Sequence, residues 1–116
     1  MKERKERIAI IDGVRTPMCK ASGQFAKISA DDLGAIVLKE LMYRTNLPSS
    51  MVDEVIFGNV SQPANAANIT RVLALKAGLN ENIPAATVHR NCASGMEALS
   101  TSANKILANE ASVMLC

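Results

Sequence analysis

Short apolar runs alternate along this chain with longer stretches in which apolar residues recur every three or four positions. The first run, Arg7–Asp12, is continuously apolar between charged ends. Such a run predicts a strand buried on both faces, as in a parallel sheet. Gly13 and Pro17 break it, and the loop they open continues through Ser22 and Gly23. Ser29-Ala30-Asp31-Asp32 is a capping-box variant with a carboxylate at its third position, and it predicts a helix start. Leu33, Val37, Leu38 and Leu41 then fall at helical spacing, with Ile36 beside them, until Asn46 and Pro48 end the pattern. Ser49–Asp53 reads as a turn with room for one turn of helix. Glu54–Val60 predicts a second strand centred on Val55, Ile56 and Phe57, closed by Gln62 and Pro63. Asn65 or Asn68 caps a second helix lined by Ile69, Val72 and Leu73, and Gly78 sits where a left-handed stop belongs. Pro84 introduces a third strand through Ala86, Thr87 and Val88. Cys92 opens a third helix, with Met96, Leu99, Ala103 and Ile106/Leu107 on one face and an end near Asn109. Ser112–Cys116 is a fourth strand-like run.

The resulting order, β-α-β-α-β-α-β, predicts an α/β fold: a largely parallel sheet with helices packed on it through crossover connections. Hydrophobic residues make up 48% of 116, enough for one small domain with a real core. Aromatic residues are scarce and Trp is absent, so Ala, Val, Ile, Leu and Met must build that core. Thirteen basic residues against eleven acidic ones make no case for nucleic acid or a charged membrane surface as partner. The apolar run at 8–11 is too short for a signal-peptide core, and no stretch is long enough to span a bilayer. Three cysteines, Cys19, Cys92 and Cys116, are odd in number and too widely spaced for a metal or redox pair. A reduced, cytoplasmic setting is expected. No dinucleotide fingerprint or phosphate-binding lysine loop is present. The chain ends inside the apolar run Val113–Cys116, which reads as the N-terminal piece of something longer.

Candidate chemistry concentrates in Pro84–Asn104, around Asn91-Cys92-Ala93-Ser94-Gly95. A strand-to-helix junction places Cys92 at or beside a first helical turn, where unpaired N–H groups and the dipole favour negative charge. A thiol there has a lowered pKa and is a better nucleophile. The small residues after it let a substrate or other backbone approach. The alternative from pattern alone is a buried cysteine acting as a small hydrophobe. His89 is the one histidine. On an extended run its Cα lies about 10 Å from that of Cys92, too far for a direct pair, so it reads as packing or interface and not as a base. Asp31 and Asp32 in a first helical turn read as dipole-compensating rather than catalytic. Arg15 reads as a loop brace rather than a phosphate ligand. Arg71 reads as surface or loop-bracing, and Cys19 and Cys116 receive no role.

These segments together resemble the thiolases, the acyl-CoA:acetyl-CoA C-acyltransferases. Val88-His89-Arg90-Asn91-Cys92-Ala93-Ser94-Gly95-Met96-Glu97-Ala98 looks like their nucleophile segment. Arg7–Pro17, with its Arg15-Thr16-Pro17 turn, resembles their opening strand. Asp32-Leu33-Gly34, Asp53–Val60, Ala77-Gly78-Leu79 and Ser112–Leu115 follow in the family's order. The resemblance covers nearly the whole chain from Arg7. His89 departs from it, since the family commonly has a small polar residue there.

The resemblance implies a thiolase-like fold, with residues 1–116 forming the N-terminal portion of the N-terminal domain of a layered α/β/α structure. It implies a 3-ketoacyl-CoA thiolase that cleaves 3-oxoacyl-CoA with CoA to acetyl-CoA and a shortened acyl-CoA in fatty-acid β-oxidation. Cys92 matches the cysteine that carries the acyl group, with its own N–H in an oxyanion hole. The family's later histidine and second cysteine lie outside these residues, so this chain alone is not expected to turn over substrate. No metal or bound cofactor is implied, and CoA is a co-substrate. The intact protein is expected to form a homodimer or dimer of dimers, with a hydratase–dehydrogenase subunit as a further candidate partner. The segment Gln62–Arg71 leans toward the β-oxidation branch. The alternatives are an acetoacetyl-CoA thiolase and a non-catalytic half-thiolase that binds a partner or acyl-CoA. The related β-ketoacyl synthases also place a cysteine at such a turn, but the Arg-Thr-Pro start and Asn-Cys-Ala-Ser-Gly favour thiolase.

Overall fold

A computed structural model describes residues 7–116; the basic lead-in at 1–6 lies outside the described residues. Three helices and three strands follow in the order α1 (Ala30–Thr45), β1 (Glu54–Gly58), α2 (Ile69–Lys76), β2 (Ala85–Val88), α3 (Ser94–Leu107) and β3 (Met114–Leu115). A single 3-10 turn, Ser49–Met51, precedes β1. The strands form one parallel sheet in the order β2-β1-β3. As the central strand, β1 is covered on both faces, and Val55 and Ile56 are both fully buried.

Alternation along β1 sorts the layers. Val55 belongs to a core built from Ala35 and Leu38 of α1, Ile69, Leu73 and Ala74 of α2, and Leu79, Ile83 and Leu115, with Phe57 packed against it. Gly58 points the other way, onto the first turn of α3. The sheet therefore lies between the α1–α2 pair and α3.

The helix ends follow the side chains that the sequence provides. Ser29 Oγ accepts the Asp32 N–H and donates to Asp32 Oδ2 at 2.8 Å, while Asn46 closes α1 in the left-handed region at φ 51°. Asn68, not Asn65, caps α2 through the Arg71 N–H. After α2, Gly78 turns at φ 86°, a conformation that strains any residue with a Cβ. Arg71 braces the next loop, donating to the carbonyls of Ile83 and Glu81 at 2.9 and 2.7 Å. Arg15 is likewise a local brace, donating to Thr16 O.

Asp31 and Asp32 do more than compensate a dipole. Both pair with Lys76 at the end of α2, so one cation ties the two helices. Hydrogen bonds from Lys76 and then Ser29 hold both carboxyls below the usual carboxylate value, and the two carboxylates raise Lys76. Asp53 does the same for the sheet. Its Oδ2 accepts the N–H groups of Val113 and Ser112 at 2.9 and 2.7 Å, which depresses its carboxyl and docks β3 beside β1.

Three expectations change. Residues 7–12 join no ladder, and Ile10 and Ile11 are 75% and 82% exposed. An apolar run signals burial only if a partner strand is beside it, and here the run faces Val113–Cys116 and α3 across a cavity of about 280 Å³. The last strand is two residues long, because only Glu54 and Val55 pair with it. On α3, Met96 and Leu107 are exposed, and the buried seam is Ser94, Ala98 and Ser102. Small residues win that seam because the helix closes directly onto β1.

Candidate functional site

At the C-terminal end of the sheet, β2 stops at Val88 and the chain turns sharply into α3. The extended path from His89 to Cys92 expected from sequence is replaced by a tight turn. Asn91 takes a left-handed conformation at φ 47°, which reverses the chain one residue before the cysteine. Asn tolerates that region better than other side-chain-bearing residues. Cys92 is exposed and lies two residues ahead of Ser94, the first residue of α3, rather than opening the helix itself.

Ser94 fastens this turn. Its Oγ donates to Asn91 O at 2.7 Å and accepts the Arg90 N–H at 2.9 Å. Its own N–H bonds Asn91 O at 3.1 Å, and the Ala93 N–H bonds Arg90 O at 3.0 Å. The serine is 4% exposed, so these bonds form out of water, where leaving either group unpaired is costly. Arg90 also pairs with Glu97 one turn into α3. From the upstream side, His89 Nδ1 accepts the Asn91 N–H at 3.1 Å. The histidine is exposed and serves the turn, not a packed interface within the chain.

Gly58 completes the support. A Cβ built there would lie 2.7 Å from Gly95 N and closer still to the carbonyl of Ser94. Only glycine lets the end of β1 meet the start of α3, which fixes the height of the turn above the sheet. Sequence reading missed this role, although Gly58 ending an apolar strand was the available signal.

The turn therefore presents a free thiol on a rigid stem, with small neighbours Ala93 and Gly95 also exposed. Cys19 lies in the loop before α1, with its Sγ 3.8 Å from Gln24 Oε1, Cys116 follows β3, and all three cysteines are free. No three His, Cys, Asp or Glu side chains among the described residues are grouped to hold a metal ion. No helix among them is long and apolar enough to cross a membrane.

The family model described as "Thiolase, N-terminal domain" matches residues 8–116. The chain belongs to the thiolase family. It is 38% identical over 103 residues to a 3-ketoacyl-CoA thiolase of Escherichia coli, covering 89% of this chain and 24% of that protein. An acetyl-CoA acetyltransferase of Cupriavidus necator is 37% identical over 108 residues, covering 93% and 28%. In structure, the chain resembles the crystal structure of the Bacillus anthracis acetyl-CoA acetyltransferase with a TM-score of 0.77 and 32% identity, over 80% of this chain and 24% of that one. The chain thus spans about a quarter of the length of these thiolase relatives. The α/β architecture is that of the thiolase family, and the matched residues include the whole turn around Cys92.

Proposed function

We propose that the intact protein is a 3-ketoacyl-CoA thiolase and that Cys92 is its acyl-carrying nucleophile. One observation carries this reading: an exposed cysteine on a braced strand-to-helix turn, inside Asn-Cys-Ala-Ser-Gly, in a chain of the thiolase family. The thiolate attacks the C3 carbonyl of a 3-oxoacyl-CoA. The C2–C3 bond breaks, its electron pair takes a proton, and acetyl-CoA leaves. The acyl group stays on Sγ as a thioester. CoA thiolate then attacks that thioester, expels the Cys92 thiolate and departs as the shortened acyl-CoA. In this reading the Cys92 N–H would receive the developing oxyanion. Acid–base groups for the α-proton and for CoA come from outside residues 1–116.

The same reading takes fatty-acid β-oxidation in the cytoplasm as the setting, CoA and acyl-CoA as substrates with no resident cofactor, and a homo-oligomer as the working form. A hydratase–dehydrogenase subunit would supply its substrate. Similarity to acetyl-CoA acetyltransferases in sequence and in structure supports a second reading, acetoacetyl-CoA thiolysis. Turnover of the intact protein on acetoacetyl-CoA and on a long-chain 3-oxoacyl-CoA separates the two. The first reading requires kcat/KM to favour the long chain, and both require Cys92→Ser to abolish turnover. Retained turnover in that variant removes both.

A further inference from the structure

His89 reaches the reactive turn from the strand side, and among the described residues it is the only side chain recorded as bonding the Asn91 N–H. The bond runs from the N–H of residue i+2 to the side chain of residue i. This is the geometry by which Asn and Asp close an Asx turn. Imidazole Nδ1 stands two bonds from Cβ, where Asn Oδ1 would stand. An accepting Nδ1 requires the neutral ring with its proton on Nε2. Nδ1 is committed to the Asn91 N–H, so it is not available as a base for Cys92.

Asn91 needs such a clamp. A side-chain-bearing residue persists at positive φ only when its surroundings enforce it. Ser94 holds the Asn91 carbonyl from the helix side, and His89 holds the Asn91 N–H from the strand side. The two bonds fix the peptide units before and after Asn91. Cys92 comes next, so the Asn91 torsions aim its Cα–Cβ bond.

We propose that His89 is a positioning residue: as a neutral ring it closes the turn at Asn91 and so sets the direction of the Cys92 thiol. The proposal rests on the reading of Cys92 as nucleophile. In the intact protein labelled with ¹⁵N-histidine, the signal lost in His89→Ala must show an unprotonated Nδ1 and a protonated Nε2. His89→Ala is expected to speed deuterium exchange at the Asn91 amide by roughly fivefold, the worth of one neutral hydrogen bond, and to lower kcat with KM little changed. His89→Asn keeps an acceptor at the same place and is expected to restore both.

A proton on Nδ1, unchanged Asn91 exchange in His89→Ala, unchanged kcat in that variant, or failure of Asn to rescue would each overturn the proposal. The nitrogen and exchange signals do not depend on catalysis. If they hold while Cys92→Ser keeps its turnover, the nucleophile reading has failed, and the role of His89 falls with it.

Discussion

Gly58→Ala tests whether the closure of β1 on α3 positions the reactive turn. The added methyl would meet the backbone of Ser94 and Gly95, with Gly95 N at 2.7 Å where ordinary contact starts at 3.4 Å. The first turn of α3 must therefore retreat by about 0.7 Å or more, since a backbone obstacle has no rotamer through which to escape. Overpacking of this kind costs about 1–3 kcal/mol, and the backbone contact puts the cost at the upper end. With a urea m-value of about 2 kcal/mol per molar, a loss of about 3 kcal/mol lowers the unfolding midpoint by roughly 1.5 M. Cys92 lies two residues from Ser94 and must shift with it. A displacement near 1 Å in a reacting group can cost about 10²-fold in rate, so kcat should fall by at least about tenfold. Gly95→Ala is the stability control, because a Cβ there meets nothing within 4 Å beyond its chain neighbours and its own helix backbone. It should leave stability unchanged or raise it by up to about 1 kcal/mol through helix propensity. Urea unfolding of both variants and steady-state turnover of Gly58→Ala, each made in the intact protein, decide the matter. A Gly58→Ala protein with wild-type midpoint and kcat would refute the reasoning.

A polar cluster around the buried Thr70 and the acid behaviour of three carboxylates give two further tests. Thr87 Oγ1 accepts the N–H of the fully buried Thr70 at 3.1 Å, contacts Thr70 Oγ1 at 2.8 Å and donates to Asn68 Oδ1 at 2.7 Å. Thr87→Val strands those groups and should cost about 1–3 kcal/mol by urea unfolding, whereas a loss below about 0.5 kcal/mol would show that the cluster is dispensable. Asp31, Asp32 and Asp53 each titrate below their usual value of 3.8 in the folded chain. The unfolded chain therefore takes up protons first as pH falls, so their contribution is full above about pH 4 and is lost as pH drops through the depressed folded values. The unfolding midpoint should decline on that side, and Lys76→Met should flatten the decline. A midpoint that rises below pH 4 would contradict the sign.

What the sequence reveals depends on whether the deciding partner is local. The ends of α1 and the stop at Gly78 were legible because caps and left-handed turns are set by residues a few positions apart. The strand core at Val55–Phe57 is legible because a buried parallel strand leaves a continuous apolar run, and Ala86–Val88 because β-branched residues follow the break at Pro84. The run at 8–11 has the same pattern but joins no ladder, since composition states that a segment is apolar and not what lies beside it. The buried face of α3 was misplaced for a related reason. Hydrophobic periodicity favours Met96 and Leu107, whereas the buried face is Ser94, Ala98 and Ser102, with Ser94 against Gly58. The strand-to-helix turn that carries Cys92 is legible, but the offset of Cys92 from the helix and the bond from the Asn91 N–H to His89 follow from one torsion, Asn91 φ, which no spacing rule encodes.

The central claim is that Cys92 carries the acyl group. The direct measurement is to mix the intact protein with a 3-oxoacyl-CoA in the absence of free CoA, quench with acid, and map the peptide masses. The prediction is an acyl thioester on the peptide containing Cys92, discharged on adding CoA and missing from Cys92→Ser. An acyl group on Cys19, on Cys116 or elsewhere, with Cys92 unmodified, would contradict it.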